Sequence, residues 1–505
     1  MSTCAIIQNG GAIPLASVPM VALGLFRRTV IEEVRGGARL AALCAAPNGG
    51  ARARLLAVLA DHGGGVLRVV SAAVGDSYPA LTPECAQAHL FEREMAERFG
   101  IMPEGHPWLK PLRFSGRADA VRGGTRRPSA DAPVPGVCDF YRVEGEEVHE
   151  VAVGPVHAGI IEPGHFRFQC HGETVMHLEI ALGYQHRGVE RALENGPDNR
   201  TIHYIETLAG DTTIAHATAH AELCEALGGC AAPPRAQALR AVALELERLA
   251  NHTGDLGALA NDVGFLPTAS YCGRIRGDFL NMTALLCGNR FGRGLVVPGG
   301  VRVDIDEARA AELLGRLERA TRDVTGAVEL MWRSPSVTAR FERTGVLPHE
   351  AAVTIGLVGP CARACGIERD VRVDFPTGAF RLARMAASTW HTGDVFARAH
   401  VRWREMLRSV EYINEQVRSL PEGATRSPAA QPGPSLLAVS LCEAWRGAVC
   451  HVAITDAAGR FARYKVVDPS FHNWFGLALA MRNQQISDFP LCNKSFNLSY
   501  CGHDL

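Results

Sequence analysis

The residues best suited to chemistry lie in one short stretch, residues 153–169, which glycine and proline punctuate between strand-like segments. It carries His157, Glu162 and His165 within nine residues. Imidazole and carboxylate groups on a loop can transfer protons to a bound substrate. A solvated turn with ordinary surface histidines gives the same pattern, and taken alone it is the better interpretation.

A second polar set lies on a predicted helix over residues 235–264, whose buried face is marked by apolar residues at three- and four-residue spacing: Leu239, Val242, Leu246 and Leu249. His252, Asp255 and Asp262 project from one side if this helix is unbroken. Gly254 and Gly257 leave a break open. A plain, exposed acidic face explains the same spacing equally well.

Composition limits the function. The chain has 505 residues, 47% of them hydrophobic and 21% charged, which predicts a globular protein of several domains. A net charge of -1 provides no basic field for nucleic acid, so we expect no nucleic-acid partner. No apolar run is long enough to span a bilayer, and the N-terminus lacks the basic start of a signal peptide. We therefore expect a cytoplasmic chain.

Fifteen cysteines are scattered along the sequence, and none forms a C-x-x-C pair. The closest spacings are Cys224 with Cys230 and Cys361 with Cys365. Without an export signal, small buried thiols are the default interpretation. The spacing gives little support to a metal or cluster site within this chain.

The first 114 residues predict a small α/β module. Residues 66–74 suit a strand, residues 51–65 suit a helix that ends at glycines, and a short amphipathic helix starting near Phe91 should stop at Gly100. Residues 115–147 are rich in glycine, arginine, proline and serine and then acidic, which predicts a linker.

The larger C-terminal part begins with strand signals at residues 166–170 and 175–182, which predict a hairpin or small sheet. Long amphipathic helices follow, and a second one within residues 380–420, with a break or cap at Gly393 and Asp394, should pack on the first to build a bundle. The end returns to strands at residues 450–455 and 461–468.

These segments resemble two subunits of respiratory complex I. The pattern of Glu92, Arg93, Glu94 and Glu97, followed by His106 and Lys110, resembles the 30-kDa subunit. A resemblance to the 49-kDa subunit follows in chain order at residues 153–157, 186–190, 234–237, 247–252, 261–264, 393–394 and the closing strands. The fusion of both modules in one chain is similar to the large subunit of group 4 membrane-bound [NiFe] hydrogenases of the formate hydrogenlyase type. Residues 162–168 are most similar to that branch.

The resemblance implies an α+β fold: a small α/β N-terminal module at residues 1–114, a linker at 115–147, and a domain at 148–505 that is similar to a [NiFe]-hydrogenase large subunit, with a helical bundle and a small β-sheet. It implies a peripheral subunit on the cytoplasmic side of the cell membrane. The implied partners are a small iron–sulfur subunit and antiporter-like membrane subunits.

The chain departs from the hydrogenase pattern at the metal ligands. Hydrogenases of this family hold nickel and iron through four cysteines, since soft thiolates suit those metals. The matching positions are Ala209, Thr212, Ser470 and Asn473. Neither alanine nor asparagine replaces a bridging sulfur, so we expect no nickel–iron centre and no H2 chemistry.

The complex I resemblance implies a quinone-like site instead. His165 and Asp262 match its histidine and aspartate near the quinone head group, and a carboxylate beside an imidazole favours the protonated ring. The family's quinone tyrosine falls on Leu208, with Tyr204 one turn earlier if this stretch is helical. His157 is interpreted as structural.

The resemblance implies that electrons reach this chain from a partner subunit. Arg187 matches an arginine close to a [4Fe-4S] cluster of the neighbouring subunit, whereas the histidine that tunes this cluster falls on Gly292. Glu162 resembles a hydrogenase glutamate that relays protons. Because no glycine-rich dinucleotide motif follows a strand, NAD should bind elsewhere in the complex.

The sequence thus predicts a core subunit of an energy-converting redox complex related to NADH:quinone oxidoreductase, an oxidoreductase active only with its partners. His165, Asp262 and Glu162 would handle protons or a quinone-like acceptor. One alternative is a catalytically silent coupling subunit that uses the old metal cavity as scaffold. A second is a hydrogenase with atypical metal ligands.

Overall fold

The computed structural model describes residues 3–47, 52–114, 138–157, 161–383 and 385–505. Most of the predicted linker, residues 115–137, lies outside the described residues. The described part confirms the predicted α+β class, with an N-terminal α/β module followed by a small sheet, a helical bundle and a C-terminal sheet.

The N-terminal module is an antiparallel sheet with two packed helices. Its elements are β1 (Ala5–Ile7), β2 (Gly11–Pro14), β3 (Met20–Val21), α1 (Leu23–Arg35), β4 (Arg39–Ala46), β5 (Ala53–Asp61), β6 (Val66–Val74), β7 (Ser77–Pro79), α2 (His89–Phe99) and β8 (Met102–Glu104). Strands β1, β6, β5 and β4 lie side by side in this order, and β3 pairs parallel with β6. The predicted strand at residues 66–74 is confirmed as β6.

The prediction of a helix over residues 51–65 is wrong, because this segment contains strand β5. The strand lies between β4 and β6 and is buried on both faces, from Ala53 to Ala60. A strand buried on both faces reads as one continuous apolar run, which hydrophobic periodicity does not distinguish from a buried helix. The glycines that follow form a hairpin turn, in which the Gly64 amide donates to Asp61 at 2.9 Å.

The predicted amphipathic helix is confirmed as α2. It ends where expected, because Gly100 adopts the left-handed conformation (φ 65°) and its amide donates to the carbonyl of Ala96.

A three-stranded sheet opens the C-terminal part and confirms the predicted hairpin. It consists of β9 (Val148–Val153), β10 (His165–His171) and β11 (Thr174–Ala181), with β10 in the centre. His165 is the first residue of β10 and lies opposite Ala181. The loop with Glu162 therefore enters this sheet directly.

The bundle and its connections come next: α3 (Val189–Leu193), α4 (Thr201–Glu206), α5 (Thr213–Gly228), α6 (Pro234–Asp262), α7 (Leu266–Cys287), β12 (Val296–Val297), β13 (Gly300–Val301), α8 (Glu307–Trp332), α9 (Pro335–Phe341), α10 (His349–Ile355), α11 (Gly359–Arg363), α12 (Val371–Asp374) and α13 (Val395–Arg418). Helices α5, α6, α7, α8 and α13 enclose the largest apolar core.

Helix α6 runs unbroken for 29 residues through both of its glycines. Their role is close packing against α7. A Cβ built on Gly257 would lie 2.7 Å from the Cβ of Cys272, and one on Gly254 would lie 2.9 Å from Cδ of Arg276. Glycine thus allows α7 to approach α6 closely at the two positions where the sequence left a helix break open.

The second predicted long helix is confirmed as α13, and it packs against α6 as expected. Asp394 is its N-cap, since the carboxylate accepts a hydrogen bond of 2.8 Å from the amide of Ala397. The break predicted at Gly393 and Asp394 is therefore the start of the helix.

The predicted closing strands are confirmed and belong to a four-stranded sheet, followed by short helices: β14 (Leu436–Ala444), β15 (Gly447–Thr455), β16 (Phe461–Val467), α14 (Pro469–Ala480), α15 (Phe489–Phe496) and α16 (Tyr500–Asp504). The fourth strand is β2 from the N-terminal module, which pairs antiparallel with β14. Helix α5 packs against this sheet. The chain termini thus share one sheet.

Among the described residues, no helix is both long and apolar enough to cross a membrane.

Candidate functional site

Glu162 is held by the C-terminal end of the chain. Its Oε2 accepts a hydrogen bond of 2.9 Å from the backbone amide of Cys501, and the thiol of Cys501 lies 3.7 Å from Oε1. The loop that enters β10 is thereby fastened to helix α16. The carboxylate itself stays exposed, where it can exchange protons with solvent.

Cys501 is a residue that the sequence interpretation missed. Burial raises the pKa of its thiol, and the nearby carboxylate of Glu162 raises it further. The sulfur also contacts Ser499 Oγ at 3.4 Å and the backbone of Gly210. A sequence signal existed, because Cys501 stands among small and polar residues rather than in an apolar run like most of the other cysteines.

Arg187 fastens the same C-terminal segment to the turn before α5. Its guanidinium donates to the carbonyls of Thr207 at 2.7 Å, Leu208 at 2.9 Å and Cys501 at 3.2 Å. The side chain is partly exposed, so its outer face is open to a neighbouring molecule.

The four positions that match hydrogenase ligands are fully buried. Thr212 Oγ1 lies 3.1 Å from Asp211 and accepts from Arg446 at 3.3 Å. Ser470 Oγ accepts from the amide of Ser499 at 2.8 Å. Each side chain with a polar atom therefore has a partner in the protein.

Asn473, the fourth of these positions, forms a double hydrogen bond with the backbone of Val358, at 3.0 and 3.1 Å. Ala209 offers no donor atom, and the other three offer only hydroxyl and amide groups. A nickel–iron centre needs soft thiolates, so this donor set does not fit one. Among the described residues, no group of three or more histidine, cysteine, aspartate or glutamate side chains is placed to hold a metal ion.

A partly buried ion pair lies next to these positions. Arg446 contacts both carboxylate oxygens of Asp211, at 2.6 and 2.8 Å, and its guanidinium lies 3.9 Å from the ring centre of Trp445. Burial opposes ionisation of Asp211, but Arg446 outweighs it, and the pKa of the carboxyl lies below its usual value. Arg446 also donates to the carbonyl of Asn497, which joins the turn before α5 to the C-terminal segment.

Glu247 on α6 is a second residue that the sequence interpretation missed, although it begins one of the segments that carried the resemblance. Its carboxylate accepts from the amides of Ile214 at 2.7 Å and Ala215 at 3.3 Å, in the first turn of α5. Burial raises the pKa of this carboxyl to about 8. A group that titrates near neutrality thus contacts the first turn of α5, which follows Thr212.

His165 lies on the side of the small sheet, with its ring centre 5.3 Å from that of Phe140. Burial lowers its pKa, and Arg167 lowers it further, whereas a backbone contact with Gly154 and the charge of Glu179 act in the opposite direction. The ring is therefore neutral at pH 7, the opposite of the protonated ring expected beside a carboxylate.

Asp262 is the last residue of α6 and is half-buried. Burial raises the pKa of its carboxyl, and Lys494 partly offsets this effect. Its Oδ2 has no hydrogen-bond partner among the described residues. Within the same part of the chain, no ion pair or hydrogen bond joins Asp262 to His165, so their shared role stays a prediction.

The two other polar residues of the α6 set face α13 rather than solvent. His252 Nε2 lies 2.9 Å from Glu405, and Asp255 pairs with Arg402 at 2.7 Å. All four side chains are buried. The interpretation as an exposed acidic face is therefore wrong for Asp255.

Three further positions of the resemblance have clear surroundings. His157 donates a hydrogen bond of 2.9 Å to the carbonyl of Gly164 within its own loop. Tyr204 lies on α4, one turn before the buried Leu208. Gly292 has φ 75°, and a Cβ there would lie 2.2 Å from Ile214, so packing excludes a histidine at this position.

Two family models match the chain. Residues 32–119 match the 30-kDa subunit of respiratory-chain NADH dehydrogenase, and residues 262–435 match the 49-kDa subunit of the same enzyme.

Three curated proteins illustrate the similarity. The carbon monoxide-induced hydrogenase of Rhodospirillum rubrum is 31% identical over 69% of this chain and 97% of its own length. Formate hydrogenlyase subunit 5 of Escherichia coli is 29% identical over 84% of this chain and 76% of its own. NADH-quinone oxidoreductase subunit 4 of Thermus thermophilus is 30% identical over 68% and 90%.

Proposed function

Because the chain belongs to the family that unites the 49-kDa subunit of NADH dehydrogenase with the related hydrogenase subunits, we propose that it is a core subunit of a membrane-associated redox complex that conserves energy. It handles electrons and protons near a quinone-like acceptor and does not turn over H2. The observation that carries this proposal is the donor set at Ala209, Thr212, Ser470 and Asn473, which suits no nickel–iron centre while acid–base groups remain around it.

Electrons enter from a partner. The exposed face of Arg187 supports this assignment, because a guanidinium there can stabilise the charge of a [4Fe-4S] cluster in a small neighbouring subunit. NAD, if the complex uses it, binds in another subunit. Antiporter-like membrane subunits complete the complex, and this chain lies peripherally on the cytoplasmic side of the membrane.

Protons are handled by three groups. His165, neutral at pH 7, donates a ring N–H to a carbonyl oxygen of the acceptor and gives up that proton when the acceptor is reduced. Asp262 returns a proton to the acceptor site. Its raised pKa supports this role, as does its Oδ2, which has no hydrogen-bond partner among the described residues. Glu162 exchanges protons between Cys501 and solvent.

The test is His165→Ala in the intact complex, purified with its partner subunits and assayed for electron transfer to a short-chain quinone. General acid–base groups contribute roughly 100-fold or more, so we expect a loss of that order. His171→Ala is the matched control, since His171 ends the same strand, its side chain is 58% exposed, and its one ion pair within the described residues is with the exposed Glu147. Unchanged quinone reduction in His165→Ala would remove the proposal.

A catalytically silent coupling subunit is the second candidate. The double hydrogen bond between Asn473 and Val358 favours it, because the old ligand position then serves as packed scaffold. In that case His165→Ala leaves electron transfer unchanged. A hydrogenase with atypical ligands is tested by elemental analysis of the purified complex, in which we expect no nickel.

A further inference from the structure

Behind the candidate site, buried polar side chains form a continuous hydrogen-bonded row. Asp468 Oδ2 lies 3.1 Å from His216 Nε2, and His216 Nδ1 lies 3.0 Å from His451 Nε2. His451 Nδ1 lies 2.9 Å from Tyr464 Oη, which lies 2.8 Å from His220 Nδ1. With Cys224, whose sulfur is 3.5 Å from His220 Nε2, these residues are called the buried histidine chain.

Three elements contribute most members of the buried histidine chain. His216, His220 and Cys224 follow one another at four-residue spacing on one face of α5. His451 lies on β15 and Tyr464 on β16, the strands against which α5 packs. Asp468 follows β16 and caps α14 by accepting from the amide of Ser470 at 2.8 Å.

The hydrogen bonds can be oriented from one end. An ionised Asp468 only accepts, so His216 carries a proton on Nε2, and in a neutral ring its Nδ1 then accepts. His451 must therefore donate from Nε2 and accept at Nδ1 from the hydroxyl of Tyr464. The oxygen of Tyr464 in turn accepts from Nδ1 of His220. Every donor points towards Asp468.

Electrostatics agree with this orientation. Burial opposes ionisation of Asp468, but the hydrogen bond from His216 outweighs it and the pKa of the carboxyl is lowered. Burial lowers the pKa of His220 to about 4 and lowers that of His451 well below its usual value. Burial also raises the pKa of the Tyr464 hydroxyl well above its usual value. These three members are thus neutral at pH 7.

The outer end of the chain is Cys224. Its thiol donates to Nε2 of His220, the ring nitrogen left as acceptor. Cys224 is 6% exposed, whereas His216, His451 and Tyr464 are 0% exposed. Burial raises the pKa of the thiol, so it remains protonated. A proton from solvent therefore enters most readily at Cys224.

The inner end borders the candidate site. A Cβ on Gly502 would lie 2.7 Å from the carboxylate carbon of Asp468, and Gly502 lies in helix α16, which also carries Cys501. Charged and titratable groups face the chain along its length: Arg446, Asp211 and His472 near Asp468, Glu190 near His451, Cys450 near Tyr464, and Glu225 and Cys230 near Cys224. Negative charge that develops beside Gly502 would raise the proton affinity of the His216–Asp468 pair.

We propose that the buried histidine chain is a proton-loading site, which takes up one proton through Cys224 and holds it on His216 against Asp468 when the candidate site is reduced. This inference rests on the proposed redox function. It assigns a role to residues other than His165, Asp262 and Glu162, which carry the proposed acceptor chemistry.

The step conserves protons and moves no electrons. Cys224 gives its S–H proton to His220 Nε2, His220 gives its Nδ1 proton to Tyr464, and Tyr464 gives its own to His451 Nδ1. His451 then gives its Nε2 proton to His216 Nδ1, and solvent returns one proton to Cys224. His216 ends as an imidazolium paired with Asp468, and every hydrogen bond between Cys224 and His216 has reversed its direction.

The first test measures proton uptake when the intact complex is reduced electrochemically in weakly buffered solution with a pH indicator. Tyr464→Phe removes the hydroxyl that links two rings, so we expect uptake to fall by one proton per complex. Tyr412→Phe is the matched control, because its buried hydroxyl has no hydrogen-bond partner within the described residues. Equal uptake in Tyr464→Phe and wild type would overturn the proposal.

A second test needs no variant and covers the case in which Tyr464→Phe does not fold. Nitrogen-15 NMR of the histidine-labelled wild-type protein distinguishes the two neutral tautomers. We expect the proton of His451 on Nε2 and that of His220 on Nδ1 in the oxidised state. The opposite tautomers would overturn the inference. Unchanged quinone reduction in His165→Ala would remove the proposed function but would not alter the proton uptake or the histidine tautomers measured here. The two proposals therefore fail separately.

Discussion

Glu162 and Cys501 meet across 339 positions of sequence, and their contact joins the loop before β10 to helix α16. Burial raises the pKa of the thiol and the nearby carboxylate raises it further, so the thiol is protonated at pH 7. A protonated thiol is a poor nucleophile and a poor metal ligand. At the scale of single residues, the site is therefore arranged for proton exchange rather than for thiolate chemistry.

Glu162→Gln should make Cys501 more reactive. The amide keeps a hydrogen-bond acceptor but removes the charge, so the pKa of the thiol falls towards its usual value. Alkylation of Cys501 by iodoacetamide at pH 8, followed by peptide mass spectrometry, should be several-fold faster, since each pKa unit is about a tenfold change in thiolate. Glu147→Gln serves as control, because this carboxylate is exposed and pairs with the exposed His171. An unchanged rate for Cys501 would contradict the role assigned to Glu162.

At the scale of elements, the close approach of α6 and α7 holds the middle of the bundle together. Gly257 permits it, since any side chain there meets the Cβ of Cys272, which its backbone fixes. The polar residues His252 and Asp255 of α6 point the other way, to α13. Helix α6 thus packs tightly on one side and forms ion pairs on the other, while its end presents Asp262.

Two glycine substitutions should change stability in opposite directions. Gly257→Ala should lower the free energy of unfolding by about 1–3 kcal/mol, because the added methyl group overpacks the helix contact. Gly273→Ala on α7 should raise it by about 0.5–1 kcal/mol, since a Cβ there has open space and alanine favours the helix. Urea unfolding at pH 7 measures both. Equal effects would contradict the packing assigned to Gly257.

At the scale of the whole molecule, a buried ion cluster joins the N-terminal module to the C-terminal sheet. Lys465 on β16 contacts Glu94 of α2 at 2.6 Å and Glu190 of α3 at 3.0 Å. Arg463 contacts Glu190 at 2.8 Å, and Arg113 contacts Glu94 at 3.1 Å. Strand β2 adds a hydrogen-bonded link, because it leaves the N-terminal module and pairs with β14.

Lys465→Met should lower the free energy of unfolding by about 3–5 kcal/mol, because two buried carboxylates lose their shared cation. Arg322→Met is the control, since its ion pair with Glu318 is exposed and contributes about 0.5 kcal/mol or less. Thermal unfolding of the two variants beside wild type measures the difference. A Lys465→Met protein as stable as the control would show that the cluster does not join the modules.

The same cluster predicts loss of stability in acid. Burial opposes ionisation of Glu94 and Glu190, but Lys465 and the neighbouring arginines outweigh it, and the pKa of both carboxyls lies below the usual 4.5 in the folded chain. A depressed carboxyl pKa stabilises the fold fully above about 4.5, and this contribution is lost as the pH falls below that value. Unfolding free energies measured from pH 7 down to pH 3 should decline below about 4.5, and less steeply in Lys465→Met.

Much of this protein follows from sequence alone. Hydrophobic periodicity and capping residues predicted α2, α6, α13, the hairpin of β10 and β11, and the closing strands, because each depends on neighbours along the chain. Motif order predicted the α+β class and the relation to complex I and group 4 hydrogenase subunits, which the family models and relatives confirm. Those same motifs supplied the oxidoreductase function and singled out Glu162, His165, Arg187 and Asp262.

Only the tertiary structure decided what meets across the fold. Burial on both faces made β5 a strand, and pairing with β14 drew β2 into the C-terminal sheet. The meeting of Glu162 with Cys501, and of His216 with His451, joins residues hundreds of positions apart that no local period relates. Such contacts depend on how whole elements pack, and burial there sets the protonation states on which the proposed chemistry depends.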